Sequence, residues 1–200
     1  MNNLLISTGG IIAIVITAIV LVLAIALVVW WISTSNKLIR IKNKVEEAWA
    51  TIDVYLKKRF DLIPNLVETV KGYTKHESET LEKVVAARNI AGRAVSAEER
   101  IAAENNLTGS LRTFLNAVSE SYPDLKANTN FLDLQNQLKM IEGELEGSRR
   151  YYNGTVKSFN TLIEVFPSCI VAQRKGEEYK KRPYFELDSA EECQNVKVSF

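Results

Sequence analysis

The stretch Ile11–Ile32, IIAIVITAIVLVLAIALVVWWI, decides how the rest of this chain is read. It carries no charge and a single polar residue, Thr17. At ~1.5 Å per residue, a helix over it is long enough to cross the ~30 Å hydrocarbon core of a bilayer. A helix in a soluble core would show one apolar stripe, and this one is apolar all round. Its β-branched residues are no obstacle, because in lipid the backbone has no partner except itself. Ser7-Thr8-Gly9-Gly10 forms a polar flank before it, and Trp30 and Trp31 stand where an interfacial aromatic belt belongs. The reading is a single-pass anchor in the cell membrane, with the lipid bilayer as a partner.

A cleaved secretory signal needs a basic start, a short apolar core and small residues at the cut. Residues 1–10 hold no Lys or Arg, and the apolar run ends in bulky Trp30-Trp31-Ile32. The anchor is therefore expected to stay. Lys37, Arg40, Lys42 and Lys44 follow it, and Lys37 and Arg40 join the two tryptophans as the expected membrane interface. By the positive-inside rule this flank is cytoplasmic. The expected organisation is a non-cytoplasmic N-terminus over 1–10, a span over 11–32, a cytoplasmic helical domain over 33–166 and a tail over 167–200. The same basic residues also fit the solvated face of the next helix. Cys169 and Cys193, with no pairing pattern, fit a reducing compartment. A net charge of +1 and the lack of a basic tract with interleaved aromatics give no nucleic-acid partner.

Beyond the anchor the pattern is helical throughout, punctuated by Pro64, Pro123, Pro167 and Pro183. Over Asn36–Asp61, Leu38, Ile41, Val45, Ala48, Ile52 and Tyr55 recur at steps of three and four, a coiled-coil-like seam. Asp61-Leu62-Ile63-Pro64 reads as a corner, with Asp61 as N-cap and Pro64 in the first turn of a new helix, Asn65–Arg93. Ser96-Ala97-Glu98-Glu99 is a capping box opening a helix over Ala97–Ser121. A last long helix is expected over Asn130–Phe166, carrying Phe131, Leu134, Leu138, Ile141, Leu145 and Tyr152 on one face. The fold class is all-α: a transmembrane helix, then a long-helix antiparallel four-helix bundle, then an extended tail. The closing Val196-Lys197-Val198-Ser199-Phe200 alternates like a strand.

Little here supports chemistry. His76 is the only histidine, and His76-Glu77 has Thr80 where a zinc protease needs its second histidine. No other cluster has metal-ligand spacing, and no phosphate-cradling or nucleophile-elbow motif occurs. No cofactor, no metal and no catalytic residue are expected. Arg59, Asp61, Asn65 and Glu68 read as capping and ion pairing at the corner. Arg149 and Arg150 beside Tyr151-Tyr152 suggest a groove for lipid headgroups, with Glu142, Glu144 and Glu146 close enough to neutralise it. Gly143, Gly147 and Gly154 each cost about 1 kcal/mol against Ala inside a helix. Tolerating three implies close packing there, against a neighbouring helix of the chain or another subunit.

The run Ile52-Asp53-Val54-Tyr55-Leu56-Lys57-Lys58-Arg59-Phe60-Asp61-Leu62-Ile63-Pro64-Asn65-Leu66-Val67-Glu68-Thr69-Val70-Lys71-Gly72-Tyr73 resembles the LemA family. So do His76-Glu77, Leu81-Glu82, Ala87-Arg88, Tyr122-Pro123-Asp124-Leu125-Lys126-Ala127-Asn128, Phe131, Leu134-Gln135, Tyr152-Asn153, Phe159-Asn160 and Phe166-Pro167. The resemblance implies one N-terminal membrane helix, an α-helical bundle and no established catalytic residues. It also implies membrane-associated assembly, with some members linked to magnetosome membranes. Gly143 and Gly147 depart from the family pattern, as does the charged QRKGEEYKKRPYF segment after Ala172.

The function expected first is a membrane-anchored scaffold that forms homo-oligomers. Val45, Ile52, Gly143, Gly147 and Gly154 are its candidate packing positions. The alternative is an adaptor for another membrane protein or a protease complex. Its candidate tail, Val198 and Phe200, resembles ligands captured by strand addition. An enzyme or ligand-binding bundle is the third class.

Overall fold

Because residues 11–32 are followed by the amphipathic positions from Leu38 onward with no Gly or Pro between, one helix can carry both patterns. In the computed structural model, which describes residues 8–73 and 79–186, it does so: α1 runs Thr8–Lys71. The other α-helices are α2 (Glu79–Ala91), α3 (Ala97–Ser121), α4 (Thr129–Glu164) and α5 (Ser168–Lys175). Short 3₁₀ turns occupy Pro123–Ala127 and Glu177–Tyr179, and the described residues contain no strand. The fold is all-helical, with one N-terminal helix long and apolar enough to cross a membrane.

The chain divides into two compact units. The first combines Met1–Lys44 with Ser158–Lys181. Its large apolar side chains from Ile11 to Val29 are all exposed, as lipid-facing side chains would be. Thr17 Oγ1 donates to the Ala13 carbonyl at 2.8 Å, which satisfies the lone hydroxyl within the helix. Further along, Leu38, Val171 and Ala172 are buried together, with Trp30, Trp31, Leu162, Ile163 and Tyr179 packed around them. Residues 168–175 were expected to be extended, and they are helical instead. Eight residues are too few to display a period, but Val171 and Ala172 are buried and Ser168 is tied back by its side chain. The helix stops at Gly176, whose φ of 83° favours a residue without a side chain.

The second unit combines Val45–Lys157 with Arg182–Phe200. Its core includes Ile63, Leu66 and Val70 of α1, Leu81 and Val84 of α2, Leu107 and Phe114 of α3, and Phe131 and Leu138 of α4. The box at Ser96 forms as read: Ser96 Oγ accepts from Glu99 N–H at 3.1 Å, and Glu99 Oε2 accepts from Ser96 N–H at 3.3 Å. The Val95 and Ser96 N–H groups hold the Glu99 carboxyl below its ordinary range.

The corner expected at Asp61–Pro64 does not occur. Pro64 lies inside α1, and Asp61 caps nothing but pairs with Lys57 one turn back at 2.6 Å. A proline in a helix leaves the carbonyl four residues earlier without its donor, here that of Phe60. Arg88 of α2 supplies one: its Nε donates to the Phe60 oxygen at 3.1 Å, while its guanidinium lies 3.7 Å from the Phe60 ring centre. A tertiary contact thus replaces the missing helical bond. Gly92, one turn further along, allows the approach, since a Cβ there would meet Phe60 Cε2 at 3.2 Å. The expected helix Asn65–Arg93 is accordingly divided, its first part belonging to α1 and its last to α2.

Candidate functional site

The most polar point of the second unit's interior is Arg59, which is fully buried. Every fourth or third residue around it on α1 (Ile52, Leu56, Ile63, Leu66) faces inward too, so a guanidinium at this position is carried into the core by periodicity. Burying a charge is costly unless it is paired. Arg59 Nη2 pairs with buried Glu104, and Nη1 donates to Thr108 Oγ1 at 2.8 Å and Glu142 Oε1 at 2.5 Å. Glu104 also meets Arg100 Nε at 3.4 Å, and Arg100 reaches Asp53 at 3.6 Å. Three helices, α1, α3 and α4, are cross-linked by this network. The corner cluster expected for Arg59 is therefore corrected: Asp61 and Glu68 make surface pairs with Lys57 and Lys71 instead.

Arg149 is the second buried cation. Its Nε and Nη2 have no hydrogen-bond partner among the described residues, and its guanidinium lies 4.4 Å from the Phe185 ring centre. Burial, with the Arg59 charge second, lowers its affinity for its proton. The headgroup groove read for Arg149 and Arg150 is not built: Arg149 is covered, Arg150 pairs with Glu146 at 2.5 Å, and Glu144 accepts from Tyr55.

Covering Arg149 is the segment after Arg182, and it is held by its main chain. Asn153 donates from Nδ2 to the Phe185 carbonyl at 3.0 Å and accepts from the Phe185 N–H at 2.8 Å. Tyr152 donates to the Pro183 carbonyl at 3.1 Å, and Asn105 Nδ2 to the Glu186 carbonyl at 2.7 Å. The buried Phe185 ring sits 6.2 Å from Trp49, which in turn lies 5.3 Å from Tyr152. Burial pushes the Tyr152 hydroxyl up to about 12. Sequence reasoning missed this clasp. Its only signal was the Tyr152-Asn153 pair, which gives no hint that an amide there would grip a distant backbone.

A groove of about 530 Å³ borders the network, lined by Thr108, Leu111, Arg112, Leu138, Lys139 and Glu142 among others. It brings no nucleophile to a base. No group of three or more His, Cys, Asp or Glu side chains able to hold a metal occurs among the described residues. His76, Val198 and Phe200 lie outside them. Val45 and Ile52 are buried within the chain, at 5% and 0% exposure. Nothing lies within 4 Å of a Cβ built at Gly143, Gly147 or Gly154. Among the described residues, no neighbouring helix comes close to Gly143 or Gly147. Trp30 and Trp31 are partly covered within the first unit, and Lys37 and Arg40 are exposed.

Fold and site together define an all-helical protein with one helix apolar enough for a membrane and a buried ion network in its second unit. Comparison with known proteins narrows this class. The chain belongs to the LemA family, whose model matches residues 48–200. It is 30% identical over 145 residues to Protein LemA of Metamycoplasma hominis, a match that covers 72% of this chain and 66% of that protein.

Proposed function

We propose that this LemA-family chain is a membrane-anchored structural protein that assembles with copies of itself on the cytoplasmic side of the membrane. The observation that carries the reading is the outer face of α4. Met140 and Tyr151, 65% and 56% exposed, flank Gly143 and Gly147 at helical spacing, and Gly154 follows. Glycines in a helix interior are a standing cost, and no described residue packs closely enough on Gly143 and Gly147 to account for them. A second helix approaching that face would.

The helices of the second unit act in this reading as an antiparallel bundle. Trp49 with Tyr152, Tyr55 with Glu144 and Arg59 with Glu142 support it, since numbers rise along α1 as they fall along α4. The Arg59 network fixes their register, so that the α4 face is presented as a rigid surface. The apolar part of α1 supplies the anchor, and Lys37, Arg40, Lys42 and Lys44 support a cytoplasmic side for the helical domain that follows it.

The test is the mass of the full-length protein in mild detergent by light scattering, beside Gly143→Leu/Gly147→Leu. The native chain should form a discrete oligomer and the variant should dissociate with its helix content unchanged. A monomeric native chain at micromolar concentration refutes the proposal, and an intact variant oligomer moves the contact away from α4.

A further inference from the structure

The connection between α4 and α5 in the first unit exposes a cluster that no soluble interior uses. Phe166 is 79% exposed, Ile170 48% and Val165 45%. A contiguous exposed apolar tip of this kind marks a contact surface. It directly follows Leu162 and Ile163 and precedes Val171 and Ala172, the residues that pack with Leu38, Trp30 and Trp31 at the end of the apolar stretch. Arg174 of α5 has its guanidinium 5.7 Å from the Trp31 ring centre.

Two further features fit a lipid surface. Several polar groups of the connection are satisfied within it: the Ser168 Oγ proton lies within reach of the Leu162 carbonyl at 2.6 Å and the Val165 carbonyl at 3.0 Å. The Val165 carbonyl also accepts from Cys169 N–H at 2.9 Å, and Val165 N–H donates to Thr161. Backbone entering a water-poor layer needs internal partners of this kind. The charge is also segregated. Residues 1–44 and 158–181 hold eight Lys/Arg and three Glu, net +5, while the rest of the chain is net −4. Of the eight, Arg174 contacts Trp31, Lys175 follows Arg174, and Lys37 and Arg40 lie about two helical turns beyond the tryptophans in sequence.

We infer that the α4–α5 connection is a second membrane contact, in which Val165, Phe166 and Ile170 enter the interfacial layer of the bilayer while Arg174, Lys175, Lys37 and Arg40 engage anionic headgroups. The occupant of this surface is lipid, and the inference rests on the reading of residues 11–32 as a span. Apolar side chains with a basic surround are the usual composition of an interfacial anchor, and attraction to anionic lipid falls off within a Debye length.

The experiment places an environment-sensitive fluorophore on single cysteines of the full chain, with Cys169→Ser and Cys193→Ser, in vesicles of phosphatidylcholine with and without phosphatidylglycerol. The labelled positions are Val20→Cys in the span, Phe166→Cys and Val165→Cys in the connection, and Gln137→Cys on α4. Circular dichroism checks that each chain is folded, and Val165→Cys keeps Phe166 in place. Expected are blue-shifted emission and quenching by spin-labelled lipid at 20, 165 and 166, none at 137, and stronger quenching at 165 and 166 with phosphatidylglycerol. Quenching at 20 with aqueous emission at 165 and 166 overturns the inference and leaves the span. Aqueous emission at 20 overturns the span and the inference with it. Blue-shifted emission at 165 and 166 without lipid quenching assigns the tip to a protein contact and also overturns the inference.

Discussion

If Arg88 substitutes for the helical bond that Pro64 removes, the two positions must be energetically coupled. Arg88→Ala withdraws the only donor the described residues give the Phe60 carbonyl from outside α1, and it removes the guanidinium 3.7 Å from the Phe60 ring centre. A hydrogen bond to a charged group contributes about 1.5–3 kcal/mol, and a partly exposed cation–π contact about 0.5–1 kcal/mol. The cost in the native background should therefore be about 2–3 kcal/mol. In Pro64→Ala the residue at 64 regains its N–H, which can reach the Phe60 carbonyl four residues back. There Arg88→Ala should cost only the ring contact and some packing. The double-mutant cycle should show about 1–2 kcal/mol of coupling, well above the ~0.5 kcal/mol scatter of independent sites. The assay is urea unfolding of the detergent-solubilised chain followed by helical circular dichroism, with the four proteins measured in one detergent. Additive effects of the two substitutions would refute the substitution of a tertiary bond for a helical one.

Three shorter predictions concern the second unit. Ser96→Ala should cost about 1 kcal/mol through loss of the N-cap, with Ser96→Asp retaining most of it. Arg59→Met leaves Glu104, which is 3% exposed, with only its longer contact to Arg100, and should cost about 3–5 kcal/mol, while adding Glu104→Gln should recover a large part of that in the same denaturation assay. Tyr152 has its hydroxyl raised from 10 to about 12, chiefly by burial. Below pH 10 both folded and unfolded chains keep that proton and its contribution is complete. Between pH 10 and 12 the unfolded chain loses the proton first, so stability must fall as pH rises. Tyr152→Phe should flatten that alkaline decline, and an unchanged slope would remove Tyr152 as its source.

The parts of the fold legible in the sequence were those with long periods or local chemistry. Ile11–Ile32 was readable because no soluble helix needs apolar residues on all faces. The Ser96 box was readable because donor and acceptor lie three residues apart. The end of α1 was not. Proline is a sound stop signal when only the local chain is considered, and the residue that overrides it, Arg88, lies 28 residues beyond Phe60, in α2. Arg59 was misplaced for the same reason: its nearest acids in sequence, Asp61 and Glu68, point elsewhere, while Glu104 and Glu142 come from α3 and α4. The clasp around Phe185 left no periodic trace at all, since it is made of side-chain amides and a hydroxyl meeting main chain. Gly143 and Gly147 are recognisable as costly from sequence, but only coordinates show that no described residue packs against them.

That clasp has a consequence for how freely the chain's end can be rewritten. Its four hydrogen bonds all read peptide groups, those of Pro183, Phe185 and Glu186, and the side chains of Tyr184 and Glu186 point to solvent. Spelling is therefore enforced at one letter, the aromatic at 185, and left nearly unsupervised on either side. A lineage could exchange the neighbouring letters for others, altering the charge of this stretch many times over, without losing the seat. The stretch from Pro183 to Glu186 is thus one whose place in the structure depends little on what it says.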